Sequence, residues 1–381
     1  MGKVKAIIIT FTFITLIVGA NSGYLINFDS GVNMENRTLA TCPKLEIKHL
    51  DPFPKQFEEY YVDHFMYRQQ LLQWNKFLKV RIFGESPHKS VIIGSNGFLF
   101  AEKYQNSYTG QHKFTEEELN LLYEDYIVRI DWLEKRNIKH YIAIIPTKFS
   151  VYPESLPFHM HQLSGLNQTA QFINRIKNIK GINLIDLKDT LIEAKTLSNN
   201  KLFYNTDQHW NEFGAYVGYA KIIDEIRKAF PIIPKISLDS IDISFKEING
   251  KGLAKIILME DEFSDMQVDI KMKNSNFSRV FVDYVYPIPE PFPYKDDFQI
   301  HYKSNNDSLP KILLIRDSYV NSMHNFFPSS FSESVFIWDN WNYKLNEEII
   351  EHEKPDIILT ILIENNLEFI LYKHPNERNE E

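Results

Sequence analysis

Apolar and polar positions alternate along this chain with two different periods, and the change of period marks the elements. An uncharged run, Ala6–Ala20, opens the sequence behind Lys3 and Lys5. After an irregular polar stretch, Phe57, Tyr60, Tyr61 and Phe65, then Leu71, Leu72, Trp74, Phe77 and Leu78, recur at three and four, which predicts a helical arm. Gly94-Ser95-Asn96-Gly97 sits between Val91-Ile92-Ile93 and Phe98-Leu99-Phe100 and reads as a hairpin turn. Thr115 with Glu118 forms a capping box that opens a helix with the stripe Leu119, Leu122, Tyr126, Ile130 and Leu133.

From there, strands and helices take turns. Tyr141–Ile145 reads as a buried strand stopped by Pro146. A helix around Ala170–Ile179, a strand at Ile182–Leu187 and a helix around Thr190–Thr196 follow. Phe213, Tyr216, Val217, Ala220, Ile223 and Ile226 carry another helix. Later come a strand at Ile312–Ile315, a helix from about Tyr319, a strand at Val335–Trp338, a helix near Glu347–His352 and a strand at Ile357–Leu362. This alternation predicts an α/β domain with a mainly parallel sheet between helices. Residues 231–310, rich in charge and proline, break the rhythm and read as a lid-like insertion.

The organisation expected is therefore fourfold. Residues 1–23 form a signal peptide or signal anchor, and 24–90 a stalk and helical arm. Residues 91–370 form the catalytic domain with insertion 231–310, and 371–381 a charged tail. The opening run is short for a membrane span and suits a signal segment, with Val18-Gly19-Ala20 as a small-residue cleavage site. The positive residues before it hold the N-terminus inside, so the body is expected outside the cytoplasm, in the periplasm or on the outer face of the cytoplasmic membrane, cleaved or anchored by residues 6–23.

Charge then removes whole classes of function. The formal net charge is −8, and without Lys3 and Lys5 the remainder carries −10. An acidic body with no run of Lys and Arg argues against nucleic acid as a partner. Cys42 is the sole cysteine, so neither an intrachain disulfide nor a cysteine metal cluster is available.

Two motifs carry chemistry. In Ile312-Leu313-Leu314-Ile315-Arg316-Asp317-Ser318-Tyr319 an apolar strand ends abruptly in Arg-Asp-Ser. Ligands of open α/β sheets sit at the carboxyl ends of strands, so Ser318 falls where a nucleophile belongs. A serine there is also an ordinary helix N-cap. In Thr206-Asp207-Gln208-His209-Trp210 the acid and the imidazole are two apart, which places both on one side of an extended or turning segment. A nucleophilic hydroxyl needs such a base, and the base needs an orienting acid. Asp-x-His alone also fits a metal pair, the lesser reading because no second compact cluster of ligands joins it, and Thr206 or Asp207 also looks like the cap of the next helix. His159-Met160-His161 supplies the other histidine cluster, in a loop. Together the two motifs give one Ser, one His and one Asp, each at the edge of an α/β unit.

At this point the chain resembles the alginate O-acetyltransferase family, the AlgX- and AlgJ-like proteins with an SGNH-hydrolase-like fold. The resemblance begins at Glu35-Asn36-Arg37-Thr38-Leu39-Ala40 with Pro43 and continues through Phe57–Phe65 with Arg68 and through Gly94–Phe100. It takes in Ile145-Pro146-Thr147-Lys148, Val151-Tyr152-Pro153, Asp207-Gln208-His209-Trp210 and Arg316-Asp317-Ser318-Tyr319. It implies a three-layer fold in which Asp207 orients His209, His209 is the base and Ser318 the nucleophile, with no cofactor and no metal. It also implies an exported enzyme that adds acetyl groups to a polysaccharide acceptor beside a membrane-bound O-acyltransferase that supplies the acetyl. A carbohydrate esterase and a non-catalytic scaffold of a secretion complex are the competing readings. Ordinary SGNH enzymes have Gly where this chain has Arg316, so the oxyanion site is expected to be built differently. Arg316, Lys148, Trp210 and Tyr319 are the further candidates for contact with substrate or oxyanion. For Arg316 the alternative is a structural ion pair, for Lys148 plain solvent exposure, and for Trp210 burial behind His209.

Overall fold

A computed structural model describes residues 2–21, 38–45, 51–64, 68–163, 165–198, 200–282, 284–290, 292–339 and 345–371. Glu35–Arg37, Phe65 and the tail beyond residue 371 lie outside the described residues. The chain divides into two compact units, Met1–Pro87 and His88–Glu381.

In the first unit the uncharged run forms the helix Gly2–Asn21. Among the described residues no helix is long and apolar enough to cross a membrane. The aromatic stripe forms two helices, Phe53–His64 and Arg68–Phe77. The second runs on into a widened turn, Leu78–Phe83, which ends at Gly84 in the left-handed region. Tyr60 and His64 stack one turn apart, with ring centroids 4.4 Å apart. The Asp63 carboxylate accepts from the Ala40 amide at 2.8 Å, tying the incoming chain to the first helix.

The second unit holds eleven strands among the described residues. β1 (Val91–Ile93) and β2 (Leu99–Ala101) form a separate hairpin. Its turn uses Asn96 and Gly97, both at positive φ. β3 (Lys139–Ile145) and β4 (Asn183–Asp186) belong to the main sheet. β5 (Ile241–Asn249) and β6 (Ser264–Met272) make a second hairpin apart from it. β7 (Phe277–Val280), β8 (Gln299–Ser304), β9 (Ile312–Arg316), β10 (Glu333–Ile337) and β11 (Ile357–Ile363) complete the main sheet, in the order β4-β3-β11-β9-β10-β8-β7. The first five strands run parallel, and β8 and β7 close the edge antiparallel. This is the SGNH-like α/β arrangement with a mostly parallel sheet.

The period of two sets the layers. Ile142 and Ile144, Leu313 and Ile315, Val335 and Ile337, and Ile358 and Leu362 join one core with Leu122, Tyr126 and Leu133 of the helix Glu116–Glu134 and Phe172 of the helix Gln168–Ile176. Their neighbours in sequence point to the other face. There Phe336 meets Phe327, and Phe327 meets Tyr219 of the helix Glu212–Arg227. The capping box at Thr115 and Glu118 is formed in both directions. Gly214 lets the helix Glu212–Arg227 lie against the preceding segment, because a β-carbon there would come within 2.2 Å of the Leu202 carbonyl oxygen.

Two expectations change. The helix from about Tyr319 is a 3-10 turn, Ser318–Met323, and a second such turn, Phe327–Ser329, follows it at Pro328. The segment 231–310 also does not stand wholly outside the core. Its β7 and β8 extend the main sheet, because Ile300 and its neighbours pair directly with β10. The separate β5–β6 hairpin comes closest to the insertion expected.

Candidate active site

Register decides what meets at the sheet's rim. Ile363 of β11 lies opposite Ile145 of β3, and Ile361 opposite Arg316 of β9, so three parallel strands end side by side. Just beyond those ends come Lys148, Glu364 and Ser318. Asp317 caps the turn after β9. Its Oδ1 accepts the Tyr319 amide at 2.9 Å and its Oδ2 accepts the Ile363 amide of β11 at 2.8 Å. Asp317 fills the capping role, which leaves the hydroxyl of Ser318 free to point elsewhere.

That hydroxyl meets His209. Ser318 Oγ lies 2.9 Å from His209 Nε2, and His209 Nδ1 lies 2.6 Å from Asp207 Oδ1. The same carboxylate oxygen accepts the His209 amide at 3.0 Å, an Asx turn that locks the two residues on one side. The cap of the following helix is Asn211, whose side chain accepts the Gly214 amide, so neither Thr206 nor Asp207 is used as one. Burial pushes the Asp207 carboxyl up, but the hydrogen bond and charge of His209, its amide, and Lys148 together hold it well below the usual carboxylate range. The acid is ionised and aimed at the imidazole. This is the geometry that lets an imidazole take a proton from a serine hydroxyl.

The loop that carries Asp207 and His209 is fixed from three directions. Lys148, buried at 2% exposure, donates its Nζ to the carbonyls of Tyr204, Asn205 and Asp207 at 3.0, 2.9 and 2.6 Å. Burial pulls its ammonium down to about 7. Lys148 is therefore not the solvent-exposed lysine weighed from sequence, and its ammonium is engaged by the loop that carries Asp207 and His209. Asp265 of β6 accepts the Thr206 amide at 3.0 Å and also takes the Asn205 amide and the Thr206 hydroxyl. From the turn between β5 and β6, the Leu253 amide donates to the Thr206 carbonyl at 2.8 Å, and the Gly252 amide to Asp207 Oδ2 at 3.3 Å.

The remaining candidates lie behind the site. Trp210 is fully buried and donates Nε1–H to the Tyr319 carbonyl at 2.8 Å. Tyr319 is buried too. Its ring lies against the His209 imidazole, with centroids 4.6 Å apart, and its hydroxyl donates to the Gln208 carbonyl at 3.0 Å. Burial holds that phenol well above its ordinary value, so it stays protonated. Arg316 is fully buried beneath Trp338, 4.2 Å from the ring, and burial draws its guanidinium down to about 9. It donates to the Asn321 side-chain oxygen at 2.6 Å and to the Asp297 carbonyl at 2.9 Å. These are hydrogen bonds rather than the ion pair weighed from sequence. A guanidinium has no acceptor, so the Asn321 amide must present its oxygen to Arg316 and turn its NH₂ away. His159 and His161 are exposed, and no group of three or more candidate metal ligands occurs among the described residues.

Asp207, His209, Ser318 and Asn321 open onto a cavity of about 490 Å³ that Tyr294 and Trp338 also line. A second cavity, of about 380 Å³, reaches Asp207 and His209 from the side of Lys103 and Leu253. Sequence reasoning missed Asp265, Gly252 and Asn321. The run Asn249-Gly250-Lys251-Gly252 carries a turn signal, but nothing local says which acid that turn will meet.

Residues 91–243 match the family described as SGNH hydrolase-like domain, acetyltransferase AlgX. A protein of Azotobacter vinelandii called probable alginate O-acetylase AlgJ is 29% identical over 181 residues, 47% of this chain and 44% of that one. Its counterpart in Pseudomonas aeruginosa is 32% identical over 143 residues, 36% of this chain and 33% of that one. The chain thus spans less than half the length of the curated relatives it matches. Bacillus cereus PatB1 shares the fold, with a TM-score of 0.54 and 18% identity over 72% of this chain and 97% of that one. Its form with a sulfonyl adduct gives 0.55 over 74% and 98%. The Asp-Gln-His-Trp loop lies within the matched segment and the sheet has the SGNH-like form, so residues 91–243 are similar to the AlgX-type SGNH hydrolase-like domain.

Proposed function

We propose that this protein is an exported O-acetyltransferase that acetylates polysaccharide hydroxyls through an acetyl-serine at Ser318. The observation that carries the reading is the continuous relay Asp207–His209–Ser318, 2.6 and 2.9 Å long, at the wall of an open cavity. The relatives' description as alginate O-acetylases supports the choice of acetyl as the group moved.

In the first half-reaction His209 Nε2 takes the Ser318 proton as Oγ attacks the carbonyl carbon of an acetyl donor. The bond to the donor's leaving group then breaks, and the imidazolium returns the proton to that group. Asp207 holds Nδ1–H and stabilises the imidazolium. In the second half a sugar hydroxyl loses its proton to His209 and attacks the acetyl-serine. Collapse releases the acetyl ester and restores the Ser318 hydroxyl. General-base assistance contributes roughly 10²–10⁴-fold by precedent. With Arg316 in place of the usual glycine, the Asn321 NH₂ and the amide at the start of the Ser318–Met323 turn are the donors offered to the developing oxyanion.

The N-terminal run behind Lys3 and Lys5 supports export, with the body in the periplasm or held at the outer face of the membrane, beside a membrane-bound O-acyltransferase that supplies the acetyl. Incubation with a chromogenic acetyl ester followed by mass spectrometry tests the chemistry. An acetyl adduct on Ser318 that is absent from His209→Ala supports it, and an unlabelled Ser318 sinks it. Acetate release without transfer to an added oligosaccharide would make the protein an esterase.

A further inference from the structure

The cavity at Ser318 has a flat wall that the acetyl chemistry does not use. Tyr294 is 57% exposed, and its ring lies parallel to the Trp338 indole, 8° apart in plane and 5.1 Å between centroids. Trp338 is itself 5% exposed. Arg316 lies against its ring and Phe292 meets it edge-on at 5.5 Å. A tyrosine held flat on a buried ring keeps one face open at little further entropic cost. Tyr294 lines the same cavity as Ser318.

The charged groups of that wall narrow the ligand. Among the described lining residues, Asp207, Glu212 and Asp297 bring carboxylates, and Lys251 brings the one ammonium. Asp207 is paired with His209, Glu212 accepts the Tyr204 hydroxyl at 2.8 Å, and Lys251 Nζ sits 3.7 Å over the Tyr204 ring. Arg316 is buried behind Trp338 and does not reach the cavity surface. A uronate here would add a carboxylate to a wall already rich in them. Neutral hydroxyls and amides, by contrast, find acceptors in Glu212 and Asp297.

We infer that the acceptor subsite beside Ser318 binds an uncharged sugar, a neutral hexose or N-acetylhexosamine, with one ring face on Tyr294, and that it discriminates against polyuronates such as alginate. This deepens the acetyl-transfer reading and rests on it for the word acceptor, while the binding claim stands by itself. The test is binding to the full-length Ser318→Ala protein by calorimetry. The probes are neutral β-glucan and N-acetylglucosamine pentasaccharides and a mannuronate pentasaccharide, at one fixed salt concentration. At least one neutral probe should bind about tenfold or more tightly than mannuronate, and Tyr294→Ala in the same background should weaken it by about tenfold while Tyr294→Phe retains it. Tighter or equal binding of mannuronate overturns the inference. So does an affinity unmoved by Tyr294→Ala, or no binding of any neutral probe. Acetyl-serine formation in the wild-type protein is measured separately, so a failed acetyl-transfer reading and a failed sugar subsite give different results.

Discussion

The amide of Gly252 donates to Asp207 Oδ2 at 3.3 Å, and a β-carbon built on Gly252 would lie 2.6 Å from that same oxygen. The turn of a separate hairpin thus touches the acid of the relay so closely that only glycine fits. Asp207 cannot swing away freely, because its other oxygen holds both the His209 ring and the His209 amide.

Gly252→Ala is therefore expected to displace the acid rather than unfold the chain. The ester-cleavage kcat should fall by about ten- to a hundredfold, the scale on which small misplacements of catalytic groups act. Gly252 is the exposed first residue of the short helix Gly252–Ile256, so the thermal unfolding midpoint should move little. Steady-state rates beside a melting curve check this, and an unchanged kcat would show that the hairpin does not position Asp207.

Lys148→Met removes the ammonium that ties three carbonyls of the Asp207–His209 loop together. Each charge-assisted bond to a buried acceptor contributes about 1.5–3 kcal/mol, partly offset here by no longer burying a charge, so a net loss of about 2–4 kcal/mol is expected. Where the variant still folds, kcat should drop by about a hundredfold with KM nearly constant, because the loop orients the base rather than the substrate. A rise in KM at constant kcat would instead assign Lys148 to substrate binding.

Ser318→Ala and His209→Ala should each reduce ester turnover by at least about 10³-fold, and the double variant should be no worse than either alone, since two members of one relay act as a unit. Independent, multiplying losses would mean that the two side chains do not share a proton.

The layout of strands and helices was readable because β3, β9 and β11 are continuous apolar runs, as strands buried on both faces must be. Ser318 and His209 were readable for a related reason, since each follows an element whose end the pattern marks. The contacts that hold them were not. Asp265 is one of many acids in a charged segment, and its value lies in reaching Thr206 across a sequence gap that no local period encodes. Lys148 looked like a surface lysine because strand-ending Pro146 suggested a loop, whereas the chain turns inward and buries the side chain under the loop it holds. Tyr294 sat in a proline-rich stretch with no visible partner, and its stacking on Trp338 depends on β8 joining the sheet beside β10.

Asp207→Asn separates charge from shape. Asparagine keeps an oxygen for the His209 amide but does not stabilise an imidazolium, and in the serine-protease precedent this change costs about 10⁴-fold in kcat. The stability effect has a definite pH dependence. The folded carboxyl of Asp207 is held below its unfolded value of about 3.9 by His209 despite its burial. An acid with a depressed folded value contributes stability that is fully present above the unfolded value and is lost as pH falls through the folded one. Wild type should therefore exceed Asp207→Asn by a steady margin from about pH 7 to 5, and the margin should shrink below about pH 4. Urea unfolding midpoints of the two proteins across that range measure it. A margin that widens on acidification would mean that burial, rather than His209, governs the carboxyl, and the ionised acid would have to be dropped from the relay.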